Sequence, residues 1–284
     1  AAFEAVGIVL LLFAFVPQFG AEGVWVSVFT AISAFCNAGF DLFGRFGAYS
    51  SLVPYVNNYY VQAVIMFMIM AGGLGFMVWV ELAEYRKKRR LSLHAKVVLQ
   101  FSVIFWVGGA VLLALLEWSN PRTMGGLSVP GKIMAALFQS VSTRTAGMNT
   151  IDLAACSPIS KLLMSVLQFI GAAPGSTGGG VKVTTFAVLI LTIRSVAQGR
   201  DDCVIGGHHI ESKTVYRALT IIVIGAVAAF GSAVVVYYNT AETVSVIDCI
   251  FESCSAFGTV GLSVGVTGPV SYTHLRAHET RRHL

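Results

Sequence analysis

The fold of this chain is set by the stretch Ser255-Ala256-Phe257-Gly258-Thr259-Val260-Gly261-Leu262-Ser263, which has two relatives upstream. They are Ser33-Ala34-Phe35-Cys36-Asn37-Ala38-Gly39-Phe40 and Val141-Ser142-Thr143-Arg144-Thr145-Ala146-Gly147-Met148. Aligned on their glycines, all three have a polar residue, a small or branched apolar residue, the glycine, and a large apolar residue. An apolar stretch of about a dozen residues precedes each copy, and a unit that recurs in this way indicates a repeat architecture.

The glycine in each copy predicts a binding site for a dehydrated cation. Glycine adopts a positive φ at no steric cost, so consecutive carbonyls can turn toward one axis and replace the water shell of an ion. A short helix ending just before the motif directs its negative end at the same axis. The candidate ion-binding positions are Cys36, Asn37, Ala38, Gly39, Thr143, Arg144, Thr145, Ala146, Gly147, Gly258, Thr259, Val260 and Gly261.

Two points qualify this prediction. The alternative for any single copy is that the glycine only ends a short helix, but three copies in the same local setting favour the ion site. Arg144 lies inside the second copy, and a cation facing the axis would repel other cations. We therefore expect its side chain to point away from the axis and to brace the motif from behind.

Composition places the chain in a membrane. The 284 residues are 56% hydrophobic and 12% charged, with a mean hydropathy of +0.76, whereas soluble domains carry about 25% charged residues. The length allows about six to eight spans or half-spans. The net charge of +5 is concentrated in loops and in the tail, so nucleic-acid binding is not expected. Ala1 opens the sequence without a Met, and we interpret the chain as an internal piece of a longer protein.

Apolar segments of two lengths alternate along the chain. Residues 3–16 predict the end of a helix that Pro17 and Gly20 break. Full spans are predicted at 57–83, 95–117 and 214–238. Half-length helices, which re-enter the membrane and deliver the three motifs, are predicted at 25–35, 131–142 and 243–257. The small residues of the cluster 71–76, inside the first full span, favour close helix packing over a hinge.

The apolar element 158–195 is interrupted by a glycine-rich segment, residues 171–182. A flexible polar segment inside a membrane helix predicts a gate, and the alternative is a passive kink. A nucleotide-binding loop does not fit, because Val181 separates the last glycine from the lysine. The predicted gate residues are Gly175, Ser176, Thr177, Gly178, Gly179, Gly180 and Lys182.

Charged residues suggest orientation and argue against enzymatic chemistry. The basic run 86–90 and the basic loop around 194–217 are predicted to be cytoplasmic by the positive-inside rule. Asp248 and Glu252 lie in the third half-length helix, and we expect Glu252 to accept hydrogen bonds behind the third motif. No paired carboxylates, Ser/His/Asp set or transition-metal cluster is predicted at membrane depth, so we do not expect an enzyme or a cofactor.

These motifs together resemble the Trk/Ktr/HKT superfamily of potassium transporters, and most closely the membrane subunit of bacterial Ktr-type systems. The residues that carry the resemblance are 33–40, 143–150, 173–182 and 255–263. After residue 268 the character changes, and residues 269–284 resemble the translation of a sequencing adaptor, which we exclude as a non-native tail.

The resemblance implies an all-α membrane fold of repeated span, pore-helix and span units around a pseudo-fourfold pore. This chain would lack the first repeat and the final span, so it is not expected to close a pore by itself. The implied parts are a second repeat with a partial first span (1–85), a cytoplasmic basic loop (86–94), a third repeat with a broken second span (95–196), a cytoplasmic loop (197–213), and the first half of a fourth repeat (214–268).

The implied function is potassium uptake across the cytoplasmic membrane of a bacterium, with possible sodium dependence. The resemblance also implies membrane lipid around the protein, a homodimer of pore subunits, and a cytoplasmic nucleotide-binding partner that controls the gate. A secondary transporter that carries a small solute between broken helices is the alternative, and it leaves the three glycine motifs unexplained.

Overall fold

The computed structural model describes residues 2–46, 50–199, 204–205, 208–240 and 244–266. This part of the chain is helical, apart from 3-10 turns at Phe43–Phe46 and Val53–Tyr55 and an antiparallel pair of strands, Val204–Ile205 and His208–His209. The predicted all-α fold is confirmed. The tail interpretation for residues 269–284 falls outside the described residues.

The helices, in chain order, are α1 (Ala2–Phe19), α2 (Glu22–Phe35), α3 (Tyr59–Gly73), α4 (Phe76–Lys88), α5 (Leu93–Glu117), α6 (Val129–Ser142), α7 (Pro158–Phe169), α8 (Val183–Ala197), α9 (Ser212–Asn239) and α10 (Val246–Phe257). Within the described residues, α1, α5 and α9 are long and apolar enough to cross a membrane. The pair α3 and α4 meets the same criteria together, with a bend of 97° between them.

The first helix is longer than the sequence predicted. Pro17 was expected to break it, but α1 continues through Pro17 to Phe19 and reaches 18 residues. Pro17 lies in the last turn, so its missing N–H costs one hydrogen bond close to the end of the helix. Gly20 ends the helix in the left-handed conformation, with φ at 60° and its N–H donating to the Val16 carbonyl over 2.8 Å.

The half-length helices α2, α6 and α10 end at the residues the sequence predicted, Phe35, Ser142 and Phe257. They have 14, 14 and 12 residues, or about 20 Å at ~1.5 Å per residue, which is too short for a hydrocarbon core of about 30 Å. Side chains cap two of the starts: the Ser128 hydroxyl accepts the Gly131 N–H, and that of Ser245 accepts the Ile247 N–H.

The apolar segment predicted as a span at 57–83 is not one continuous helix, because the glycine cluster 71–76 interrupts it. Helix α3 ends at Gly73 and α4 begins at Phe76, after Gly75 has taken a φ of 83°. Close packing, which the same cluster predicted, is also present: a Cβ built on Gly75 would lie 2.6 Å from the Pro174 carbonyl oxygen.

Helix packing places the half-length helices inside the molecule. Helix α2 packs on α1 and α3, α6 on α5 and α3, and α10 on α9 and α7. Fully buried aromatic side chains fill the spaces between these helices, among them Phe15, Phe138 and Phe251. Part of the predicted basic loop 86–94 is helical: Arg86, Lys87 and Lys88 form the last turn of α4, where positive charge suits the helix dipole.

Candidate functional site

The structure brings the three glycine motifs together. We call residues 36–40, 143–148 and 258–262 the first, second and third glycine turns. A Cβ built on Gly39 would lie 3.1 Å from the carbonyl oxygens of both Ala146 and Val260. A Cβ built on Gly147 would lie 3.0 Å from the Gly39 Cα and would overlap the Val260 oxygen. Glycine is therefore required at both positions for main chains that are far apart in sequence to approach this closely.

The backbone conformation repeats in the three turns. In each, the glycine and the residue two positions before it have positive φ, at 50° and 73° for Asn37 and Gly39 and at 86° and 75° for Thr145 and Gly147. The third turn has the same alternation, with Thr259 at 53° and Gly261 at 88°. Among the described residues other than its chain neighbours, no atom lies within 4 Å of a Cβ built on Gly261, so the backbone conformation favours glycine there.

The positions of the three glycines argue against the interpretation of each glycine as a helix cap. The helices α2, α6 and α10 have their C-cap residues at Cys36, Thr143 and Gly258, so the aligned glycines lie three or four residues further on. Threonine is β-branched and rarely adopts positive φ. Its presence there in two of the three turns is backbone strain of the kind that concentrates at functional sites.

Each turn is also bonded to the end of its own half-length helix. The N–H of the residue before the glycine donates to a serine carbonyl: Ala38 to Ser33 over 2.9 Å, Ala146 to Ser142 over 2.9 Å, and Val260 to Ser255 over 2.8 Å. N–H and C=O point in opposite directions across a trans peptide. The carbonyls that share those peptides, of Asn37, Thr145 and Thr259, therefore point away from the helices.

The glycine-rich segment is a closed loop between α7 and α8, as the interruption at 171–182 predicted. Its two ends form a parallel bridge between Ile170 and Val181. The Gly171 N–H donates to the Val181 carbonyl over 2.9 Å, and the Val181 N–H donates to that of Phe169 over 3.1 Å. The loop is therefore tied at its neck, and the residues between the ties lie outside either helix.

This loop contacts all three glycine turns. The Asn37 amide of the first turn donates to the Thr177 hydroxyl over 2.7 Å. A Cβ on Gly178 would lie 3.0 Å from the Thr145 Cβ, and one on Gly179 would lie 3.0 Å from the Gly258 oxygen. The predicted gate residues thus lie directly against the predicted ion-binding residues, and two of the glycines leave no room for a side chain.

The break between α3 and α4 binds the same loop through its main chain. The Phe76 N–H donates to the Gly175 carbonyl over 3.1 Å, and the Ala173 N–H donates to that of Gly73 over 3.0 Å. The Thr177 hydroxyl also donates to the Phe35 carbonyl over 3.0 Å. The sequence did not predict this contact. The available signal was that two apolar segments are each interrupted by a glycine cluster.

Two cationic side chains bind the loop. The Arg144 guanidinium donates to the Gly171 carbonyl over 2.9 Å and lies 5.2 Å from the centre of the Phe105 ring. Its side chain thus braces the second turn from behind, as expected from the sequence. Lys182 donates to the Gly178 carbonyl over 2.5 Å, which satisfies an acceptor that no helix reaches.

Carboxylates support the third half-length helix. The Glu252 Oε1 accepts the Ser263 hydroxyl over 2.5 Å and the Val264 N–H over 2.9 Å, so Glu252 holds the chain that leaves the third turn, as predicted. Asp248 forms an ion pair with Lys161 of α7 over 2.8 Å. Within the described residues, no group of three or more His, Cys, Asp or Glu side chains is arranged to hold a metal ion.

Comparison with known proteins identifies the family. The sequence model described as "TrkH: Cation transport protein" matches residues 1–276. The chain belongs to the TrkH family. Among relatives, this TrkH-family chain is 38% identical over 271 residues to the Ktr system potassium uptake protein B of Vibrio alginolyticus, covering 94% of the chain and 58% of that protein. It is 36% identical over 267 residues to the potassium/sodium uptake protein NtpJ of Enterococcus hirae, with 93% and 58% covered.

A solved structure has the same fold as this TrkH-family chain. It is the crystal structure of the potassium transporter TrkH from Vibrio parahaemolyticus, with a TM-score of 0.70 at 17% sequence identity, covering 92% of this chain and 55% of that one. The chain therefore spans rather more than half the length of the relatives it matches.

Proposed function

We propose that this chain is part of a potassium uptake protein in which the three glycine turns contribute to one selectivity filter. The observation that carries the proposal is the repeated alternation of positive φ in turns whose main-chain atoms meet. The ligands are main-chain carbonyl oxygens, which suit a dehydrated alkali cation. The names of the relatives, which include potassium uptake and potassium/sodium uptake, support this cation class.

The glycine-rich segment is proposed as the gate of the same pathway. Its contacts with all three turns support this role, because a small displacement of the segment would change access to the proposed filter. Uptake would be driven by the membrane potential, which contributes about 2.3 kcal/mol per charge per 100 mV. We also propose that potassium uptake depends on sodium, since one relative is named for both ions.

Placement and partners extend the proposal. The chain is assigned to the cytoplasmic membrane of a bacterium, surrounded by lipid, with the basic residues 86–90 and 194–217 on the cytoplasmic side. We assign a homodimer of pore subunits and a separate nucleotide-binding subunit that acts on the gate. The relatives named as proteins of a Ktr system support a multi-component assembly.

The test uses the full-length protein expressed in cells that lack potassium uptake. Gly147→Ser and Gly261→Ser are each expected to lower rubidium uptake and its preference over sodium by about tenfold or more, because a side chain there disturbs the carbonyls. Gly108→Ala is the control, since among the described residues no atom outside its own helical turn lies within 4 Å of a Cβ at that position. Unchanged uptake and selectivity in both serine variants would remove the filter assignment.

The alternative function is secondary transport of a small solute. It draws on the two interrupted spans that pack together, a feature of transporters with central binding sites. Thermal stabilisation of the purified full-length protein separates the two. Stabilisation by potassium or rubidium supports the filter, whereas stabilisation by an organic solute with no dependence on potassium supports the alternative.

A further inference from the structure

One serine of each half-length helix binds the residue that follows the aligned glycine. The Ser33 hydroxyl donates to the Phe40 carbonyl over 2.6 Å and accepts the Phe40 N–H over 3.0 Å. The Ser142 hydroxyl donates to the Met148 carbonyl and accepts the Met148 N–H over 2.9 Å. The Ser255 hydroxyl donates to the Leu262 carbonyl over 2.6 Å.

The three serines have equivalent positions in the structure that the sequence conceals. Ser33 and Ser255 precede their glycines by six residues, and Ser142 precedes Gly147 by five. Alignment on the glycines therefore places Val141 opposite Ser33, although Ser142 makes the contact. All three serines are nearly fully buried, at 5%, 0% and 2% exposure for Ser33, Ser142 and Ser255. Their hydroxyl groups face the turn instead of water.

The geometry fixes the direction of the glycine carbonyl. The N–H of Phe40 shares a peptide plane with the carbonyl of Gly39, and the two groups point in opposite directions. Because Ser33 holds that N–H toward α2, the Gly39 carbonyl is turned away from α2. The same argument holds for Ser142, Met148 and Gly147. Each of these two serines thus holds two peptides of its turn that are separated by one peptide, the first through its main-chain carbonyl and the second through its hydroxyl.

We propose that Ser33 and Ser142 are positioning residues that fix the glycine peptides of the first and second turns and thereby set ion selectivity. This inference rests on the proposed filter function. The two serines act through the peptide whose carbonyl would face the ion, and Ser255 holds only the Leu262 carbonyl of the third turn. Carbonyls held in fixed directions discriminate between cations that need different coordination distances, whereas free peptides rotate to suit either ion.

The test compares Ser33→Ala and Ser142→Ala with Ser140→Ala in the full-length protein. Ser140 is the matched control because it is equally buried and lies on the same helix as Ser142, but its hydroxyl donates to the Trp106 carbonyl of α5 over 2.8 Å. We expect the rubidium-to-sodium uptake ratio to fall about tenfold in the two test variants, the effect of losing one or two buried hydrogen bonds. The ratio should not change in Ser140→Ala.

Conservative variants separate positioning from general stability. Ser33→Thr and Ser142→Thr keep the hydroxyl, and each should retain most of the selectivity that its alanine variant loses. An unchanged ratio in the alanine variants, or an equal fall in Ser140→Ala, would overturn the proposal. If Ser142→Ala fails to accumulate in the membrane, Ser33→Ala makes the same prediction in the first turn.

A second readout does not require transport. Amide hydrogen exchange at Phe40 and Met148 should be slow in the unmodified protein, and about tenfold faster in the corresponding serine-to-alanine variant. Accelerated exchange in a protein that takes up no rubidium would show that the serines hold the turns although the filter function is wrong. Unchanged exchange at both amides would show that the serines do not hold the turns.

Discussion

Two breaks between apolar helices lie against each other in this molecule, and the breaks differ in length. The break between α3 and α4 is formed by Leu74 and Gly75, whereas the break between α7 and α8 extends from residue 170 to 182. Both contain a glycine with positive φ, 83° at Gly75 and 69° at Gly180. The short break changes the direction of a helix, and the long one forms a separate loop that reaches the three glycine turns.

The difference shows which break is suited to move. The loop 171–182 is tied at its neck by main-chain hydrogen bonds, so a displacement of its tip need not move α7 or α8, although it would have to break the hydrogen bonds of Thr177 and Gly175. The two-residue break cannot move in this way, because any change in the backbone dihedral angles of Gly75 must reorient α4. We therefore expect the long break to control flux and the short break to serve as its rigid support.

The largest effect is expected from deleting residues 175–181 in the full-length protein. A gate predicts flux that no longer depends on the regulatory subunit, with rubidium leak raised about tenfold, the change that a barrier lower by about 1.4 kcal/mol produces. The measurement is rubidium efflux from cells with and without the regulatory subunit. Regulated flux at the normal rate, or loss of the folded protein, would instead indicate a passive kink.

A smaller effect is expected from Gly75→Ala, which tests the support. The new Cβ would lie 2.6 Å from the Pro174 oxygen, and alanine at positive φ costs about 1–2 kcal/mol. The protein should lose about 2–4 kcal/mol of stability when overpacking is added, seen as a lower melting temperature in detergent. A melting temperature equal to that of the unmodified protein would mean that the support is as adaptable as the gate.

The smallest effect is expected from a pair of adjacent glycines in α5, outside both breaks. Gly108→Ala should stabilise the protein by about 0.5–1 kcal/mol, because alanine favours the helix and meets no neighbour. Gly109→Ala should destabilise it by about 1–3 kcal/mol, since its Cβ would crowd Leu167 and the Ser140 hydroxyl. Thermal unfolding of both variants checks the opposite signs, and equal shifts would contradict the packing at Gly109.

The features that depend on residues close in sequence were predicted correctly. The ends of α2, α6 and α10 were predicted to the residue because each apolar stretch gives way there to small and polar residues. The hydrogen bonds of Glu252 were expected because it is a carboxylate at membrane depth. Arg144 was expected to point away from the axis because a cation there would repel other cations, and its guanidinium binds the Gly171 carbonyl.

The remaining features depend on contacts that sequence patterns do not encode. The cluster 71–76 is compatible with either close packing or a break, and bonds to Ala173 and Gly175, about a hundred residues away, accompany the break. The equivalence of Ser142 with Ser33 is hidden by a one-residue difference in spacing. Pro17 was wrongly expected to break the first helix, because the disruption that a proline causes depends on its distance from the helix end.

The ion pair between Lys161 and Asp248 has a consequence for biogenesis. The two residues are separated by 87 positions, so the ribosome delivers the ammonium group well before the carboxylate. When α10 is synthesised, Lys161 of α7 is already present to pair with Asp248. An unpaired carboxylate, which is unfavourable in lipid, is therefore avoided. The order of synthesis therefore supplies the partner of Asp248 in α7 before α10 is made, and α10 is too short to cross the membrane by itself.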